Sequence, residues 1–105
     1  MAEHLNTETF DAFVAASELP VLADFYRDGC VPCRRVAPLL SKAEAEYAGK
    51  LTVARVNTAQ NAELAERYEI AAAPTLILFQ DGRETARHRG VIDKDGLKAL
   101  IEPAL

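Results

Sequence analysis

Along the chain the spacing of apolar positions changes several times, and each change marks an element. Thr7 stands where it can cap a short helix whose apolar residues Phe10, Phe13 and Val14 fall at helical spacing, ending before Pro20. Polarity then drops: Val21-Leu22-Ala23-Asp24-Phe25-Tyr26, bounded by Pro20 and by Asp28-Gly29, predicts a strand buried on both faces with one carboxylate inside it. From Cys33, residues Val36, Ala37, Leu40 and Ala43 recur three or four apart, which predicts a helix that continues to Ala48 and stops at Gly49. Leu51 to Val56 alternates as a strand, and Asn61 opens a short helix through Leu64, Ala65 and Tyr68. Leu76-Ile77-Leu78-Phe79 is a further apolar strand. The turn signal Gln80-Asp81-Gly82 leads into the polar segment Arg83 to Arg89, predicting an antiparallel hairpin with a charged, solvent-facing edge that Gly90 ends. Asp93 caps a last helix carrying Leu97, Leu100 and Ile101 on one side, with Pro103 near its end.

With a candidate short strand at Glu3 to Asn6, the order is strand, helix, strand, helix, then hairpin and helix. Right-handed crossovers make the early strands parallel, so the fold class is α/β. No repeat, linker or low-complexity tract interrupts the pattern.

The 105 residues allow one domain, residues 1–105. Half of them are hydrophobic and 27% charged, the composition of a soluble globule able to bury a real core. Twelve Lys and Arg against sixteen Asp and Glu leave a net charge of −4, which opposes nucleic-acid or anionic-membrane binding as a general activity. The segment Met1 to Phe10 has neither a basic start nor an apolar stretch long enough for a secretory signal, so a cytoplasmic location is expected. No apolar run reaches the roughly 18 residues a membrane span needs. In a reducing compartment, the two cysteines, Cys30 and Cys33, would form a catalytic or metal-binding pair more readily than a structural one.

Cys30-Val31-Pro32-Cys33 lies where a strand's carboxyl end runs into a helix amino terminus, the usual place for a site in such sheets. Pro32 suits a first helical turn, where its missing N–H had no partner to lose. The spacing sets both sulfurs on one side of that turn, within adjustment of disulfide distance. Closing so short a loop would stabilise the fold by only about 2 kcal/mol, less any strain, which makes a poor staple. As a reversible two-electron couple the pair is better placed. Unpaired amides and the macrodipole favour a Cys30 thiolate, raising its share at neutral pH from a few per cent toward roughly half. Arg34 and Arg35 either add to this or are ordinary solvated cations. Asp24, if buried within its strand, would have its carboxyl pushed up and could accept a thiol's proton; the alternative is a strand-end carboxylate facing water.

These residues are matched by a family. Ala23-Asp24-Phe25-Tyr26 leading to Cys30-Val31-Pro32-Cys33, Ala37-Pro38 inside the next helix, Ala73-Pro74-Thr75 before a strand, and Gly82 and Gly90 around the hairpin together resemble thioredoxins over nearly the whole chain. The resemblance implies a thioredoxin fold: a central mixed sheet of four to five strands flanked by about four helices. It further implies that Cys30 attacks, that Cys33 is the more buried resolving thiol, and that Asp24 assists proton transfer at Cys33. Pro74 would be cis and lie against the disulfide, leaving the Ala73 backbone to pair with an extended substrate; Gly29, Val31, Pro32 and Gly90 would complete the substrate-binding rim. Arg55 stands where the family usually has lysine and would hold Asp24 ionised more firmly. The chain departs from the family at Gly29 and Tyr26, where tryptophans are usual, and at Val31, where glycine is. Gly29 removes a large apolar wall beside Cys30.

The function expected is reduction of protein disulfides by a Cys30–Cys33 couple, with disulfide-containing proteins as substrates and a flavoprotein reductase as electron donor. No cofactor, metal, nucleic acid or membrane enters it, and the chain is expected to be a monomer. Two readings of other classes compete. Cys30 and Cys33 with His4 and His88 would make a metal or iron–sulfur module, although both histidines read as surface residues. The fold would otherwise serve as a docking subunit whose redox activity is incidental. Pro38 is expected to kink its helix around the sheet, and Tyr26 to lie in the core with its hydroxyl bonded.

Overall fold

The computed structural model describes residues 2–105. Strands and helices alternate along them as far as a closing hairpin and helix: β1 (Glu3–His4), α1 (Phe10–Ala16), β2 (Val21–Tyr26), α2 (Val31–Glu46), β3 (Thr52–Asn57), α3 (Ala62–Arg67), β4 (Thr75–Gln80), β5 (Arg83–Arg89), α4 (Lys94–Ile101) and a 3-10 turn at Glu102–Ala104. The five strands form one sheet in the order β1-β3-β2-β4-β5. β1, β3 and β2 run parallel, β4 is antiparallel to β2, and β5 is antiparallel to β4. The mixed sheet and four flanking helices are those of the thioredoxin fold that the resemblance implied.

Strand alternation divides the core between the two faces. Val21, Ala23 and Phe25 of β2 pack with Phe10, Val14, Leu64, Ile77 and Phe79, under α1 and α3. Leu22 packs with Val36, Leu40, Leu76, Leu78, Leu97 and Ile101, under α2 and α4. Asp24, two residues after Leu22, therefore belongs to the α2 face in a strand that is buried almost throughout.

Several boundaries differ from the sequence expectation for identifiable reasons. Thr7 does not cap α1: its N–H donates to Asn61 Oδ1 at 3.0 Å, and Thr9 occupies the cap position without a side-chain bond to the helix N–H groups. The entry turn is closed instead by Asn6, whose Oδ1 accepts from the Glu8 and Thr9 N–H groups at 2.9 and 3.0 Å. Asn61, occupied by Thr7, precedes α3 without capping it by its side chain. α2 starts at Val31 rather than Cys33 and ends at Glu46 rather than Ala48. Tyr47 leaves helical geometry as its ring joins the α4-side core and its hydroxyl donates to Glu102 at 3.0 Å. Asp93 caps α4 as expected, accepting from Gly96 N–H at 2.7 Å.

The hairpin turn is Asp81-Gly82, with Gln80 opposite Arg83 and φ values of +54° and +79°. Two successive positive φ angles make the turn whose twist matches the flanking strands, which is why Asp-Gly serves there. Among the described residues, no helix is long and apolar enough to cross a membrane.

Candidate active site

β2 ends at Tyr26 and the chain turns through Gly29, at φ +70°, into the amino end of α2. Cys30 is the N-cap of that helix, extended at φ −93° and ψ 109°, with Pro32 in the first turn. Its Sγ takes the role a serine or aspartate oxygen usually has, accepting from the Cys33 N–H at 3.2 Å. The two cysteines are disulfide-bonded with their Cα atoms 5.2 Å apart. Cys30 is 6% exposed and Cys33 3%, so both residues are largely covered, while Val31 beside them is 50% exposed.

A second strand end closes the site. The Ala73–Pro74 peptide is cis, as the resemblance implied, and the Ala73 carbonyl oxygen lies 3.5 Å from Cys30 Sγ. Pro74 is buried, and its carbonyl accepts from Gly90 N–H at 2.8 Å. Gly90 has φ +87°, a left-handed conformation that a β-carbon would strain, so glycine lets the chain leaving β5 tie down the segment before β4. The structure thus brings Cys30, Cys33, Ala73, Pro74 and Gly90 together, with Gly29, Val31 and Pro32 around them.

Asp24 lies on β2, the strand that leads into the site. It is fully buried, which excludes the strand-end carboxylate facing water. Its Oδ2 accepts from Arg55 Nε at 3.2 Å, and its Oδ1 has no hydrogen-bond partner among the described residues. Burial pushes the carboxyl up to about 6, and the opposing pull of the Arg55 guanidinium only partly offsets it. Arg55 is itself fixed, its guanidinium carbon 4.0 Å above the Tyr26 ring centre. Tyr26 is half-buried and has no hydroxyl bond among the described residues; instead of filling core, it supplies a platform for the arginine.

The competing metal set is not assembled. His4 is on β1 and His88 on β5, the two opposite edges of the sheet, and His88 Nε2 lies 3.0 Å from the Val91 carbonyl. One feature of the site escaped the sequence reading: an open cleft of about 220 Å³ beside Gly29, lined by Cys33, Ala37, Arg27, Arg34 and Arg55. Arg27 follows β2 immediately, and nothing in its local pattern distinguishes it from an ordinary surface cation.

Comparison with known proteins agrees with this geometry. The sequence pattern of the thioredoxin family matches residues 1–103. The chain is 42% identical to the thioredoxin of Chlamydia pneumoniae over 101 residues, 96% of each chain. It is 36% identical to thioredoxin 1 of a Nostoc species over 104 residues, 99% of this chain and 97% of that one. Identity to the thioredoxin of Pseudomonas aeruginosa is 34% over 105 residues, 97% of each.

Proposed function

The chain belongs to the thioredoxin family and is a thiol–disulfide oxidoreductase; we propose that it works in the reducing direction, with Cys30 as nucleophile and Cys33 as resolving thiol. The observation that carries this assignment of roles is the Cys33 N–H aimed at Cys30 Sγ from the first turn of α2. A hydrogen bond and the positive end of a helix act on that sulfur and favour its thiolate.

In the reduced protein, the Cys30 thiolate attacks one sulfur of a substrate disulfide, forming a mixed disulfide and expelling the other substrate sulfur as a thiolate. Cys33 then loses its proton and attacks Cys30 Sγ, expelling the second substrate sulfur. The Cys30–Cys33 disulfide forms, and two electrons and two protons have passed to the substrate. Asp24 suits the proton step. With its carboxyl at about 6 it is mostly ionised at neutral pH, yet basic enough to take a proton from a buried thiol. The rim supplies the binding surface: an extended substrate backbone pairs at Ala73 beside Pro74, while Gly29, Val31, Pro32 and Gly90 bound the approach to the sulfur.

Family membership implies disulfide-bearing substrates and a thioredoxin reductase as partner. Our reading makes that reductase a flavoprotein, the chain a monomer acting in the cytoplasm, and a single domain over residues 1–105 sufficient, since every group invoked lies within it. The test is insulin reduction driven by dithiothreitol. Cys30→Ser is expected to abolish turnover, and Cys33→Ser to accumulate a mixed disulfide visible by mass spectrometry. A Cys30→Ser protein as active as wild type would refute the assignment. An equilibrium potential against glutathione as high as that of a strong disulfide-forming oxidant would reverse the direction.

A further inference from the structure

The cleft beside Gly29 carries three cationic side chains against one carboxylate. Arg27, Arg34 and Arg55 line it, in a protein whose net charge is −4. Arg55 is engaged by Asp24, and Asp28, the one carboxylate on the cleft wall, accepts from Asn57 Nδ2 at 3.3 Å. The guanidinium groups of Arg27 and Arg34 have no ion pair or hydrogen bond among the described residues, and both side chains are exposed. A β-carbon placed on Gly29 would meet nothing within 4 Å, so the entrance is open. Cys33 forms part of the floor.

Its position relative to the sulfur follows from the strand order. β3, which carries Arg55, and β4, which follows Ala73 and Pro74, lie on either side of β2. A substrate backbone paired at Ala73 leaves the cleft free on the opposite side of the disulfide, within reach of side chains next to the substrate cysteine. We propose that this cleft is a carboxylate subsite, so that disulfides carried on acidic protein segments are the preferred substrates. The inference rests on the disulfide-exchange reading and names the substrate class for it. Free guanidinium forks match a carboxylate geometrically, and at physiological salt a field reaching about 8 Å selects for charge near the cysteine rather than for the net charge of the partner.

The whole-molecule charge makes the opposite prediction, because a protein of charge −4 repels acidic partners. The two are separated by synthetic peptide disulfides identical except for Asp, Asn or Lys flanking the cysteine, reduced by the full chain with dithiothreitol as the terminal donor. The Asp peptide is expected to react about five- to tenfold faster than the Lys peptide at low ionic strength, converging toward equal rates near about 1 M salt. Arg34→Glu is expected to invert the order. The ratio of the two peptides within one variant is the readout, so a change in thiol reactivity or fold stability cancels. Equal rates at low salt, a Lys preference in wild type, or an Asp preference that survives Arg34→Glu would each overturn the proposal. Failure to reduce any of the three peptides, or insulin, would count against the exchange reading itself.

Discussion

Asp24→Asn is expected to make the oxidised protein more stable at neutral pH, and the size of the effect follows from burial. The carboxyl is pushed from 3.8 to about 6 in the folded protein, a rise of about two pH units. At about 1.4 kcal/mol per unit, ionising Asp24 costs the fold about 3 kcal/mol relative to the unfolded chain. The raised value means that the folded state holds the proton more tightly than the unfolded one. Stability from this group is fully present below about pH 4, falls as pH rises toward 6, and is gone above that. Asn keeps the shape and removes the charge; loss of the 3.2 Å Arg55 contact returns part of the gain, leaving about 1–3 kcal/mol at pH 7. The assay is urea unfolding from pH 4 to 8 for both proteins. With a slope of about 1–2 kcal/mol per molar, the variant's midpoint should lie about 0.5–3 M higher at pH 7 and coincide with wild type near pH 4. Parallel midpoint curves across that range would refute the claim that Asp24 carries its charge at a cost to the fold.

Arg55→Met removes the cation that partly offsets burial, so the Asp24 carboxyl rises further; single-turnover release of substrate from the mixed disulfide should shift its acid limb to higher pH, and an unmoved limb would separate Asp24 from that step. Phe10→Ala empties a position that is wholly buried and ringed by Phe25, Tyr68 and Phe79 at centroid distances of 5.7, 5.3 and 5.4 Å, and should cost about 3–5 kcal/mol in denaturant titrations. Asp93→Ala deletes the bond to Gly96 N–H that starts α4 and should cost about 1 kcal/mol with little change in the pH profile of exchange.

The alternative sources of each element's boundary show how far local pattern reaches. Asp93 caps its helix and Asp81-Gly82 turns its hairpin because each needs only the residues beside it. Thr7 and Asn61 failed as caps because they bond each other across 54 positions, a pairing that no window of sequence contains. Tyr47, which leaves helical geometry at the end of α2, likewise bonds Glu102, 55 residues later.

The chain itself determined the α/β order, the alternation that divides β2 between two cores, and the placement of Cys30 and Cys33 at a strand–helix junction, since these depend on periodicity and neighbouring residues. Tertiary structure alone decided that Asp24 is buried rather than wet, that burial outweighs Arg55 at its carboxyl, and that Arg55 rests on Tyr26. It also set Arg27 and Arg34 around one opening with Arg55. Each of those outcomes depends on which strands lie side by side, and desolvation and charge act over a few ångströms of space, whatever the separation along the sequence.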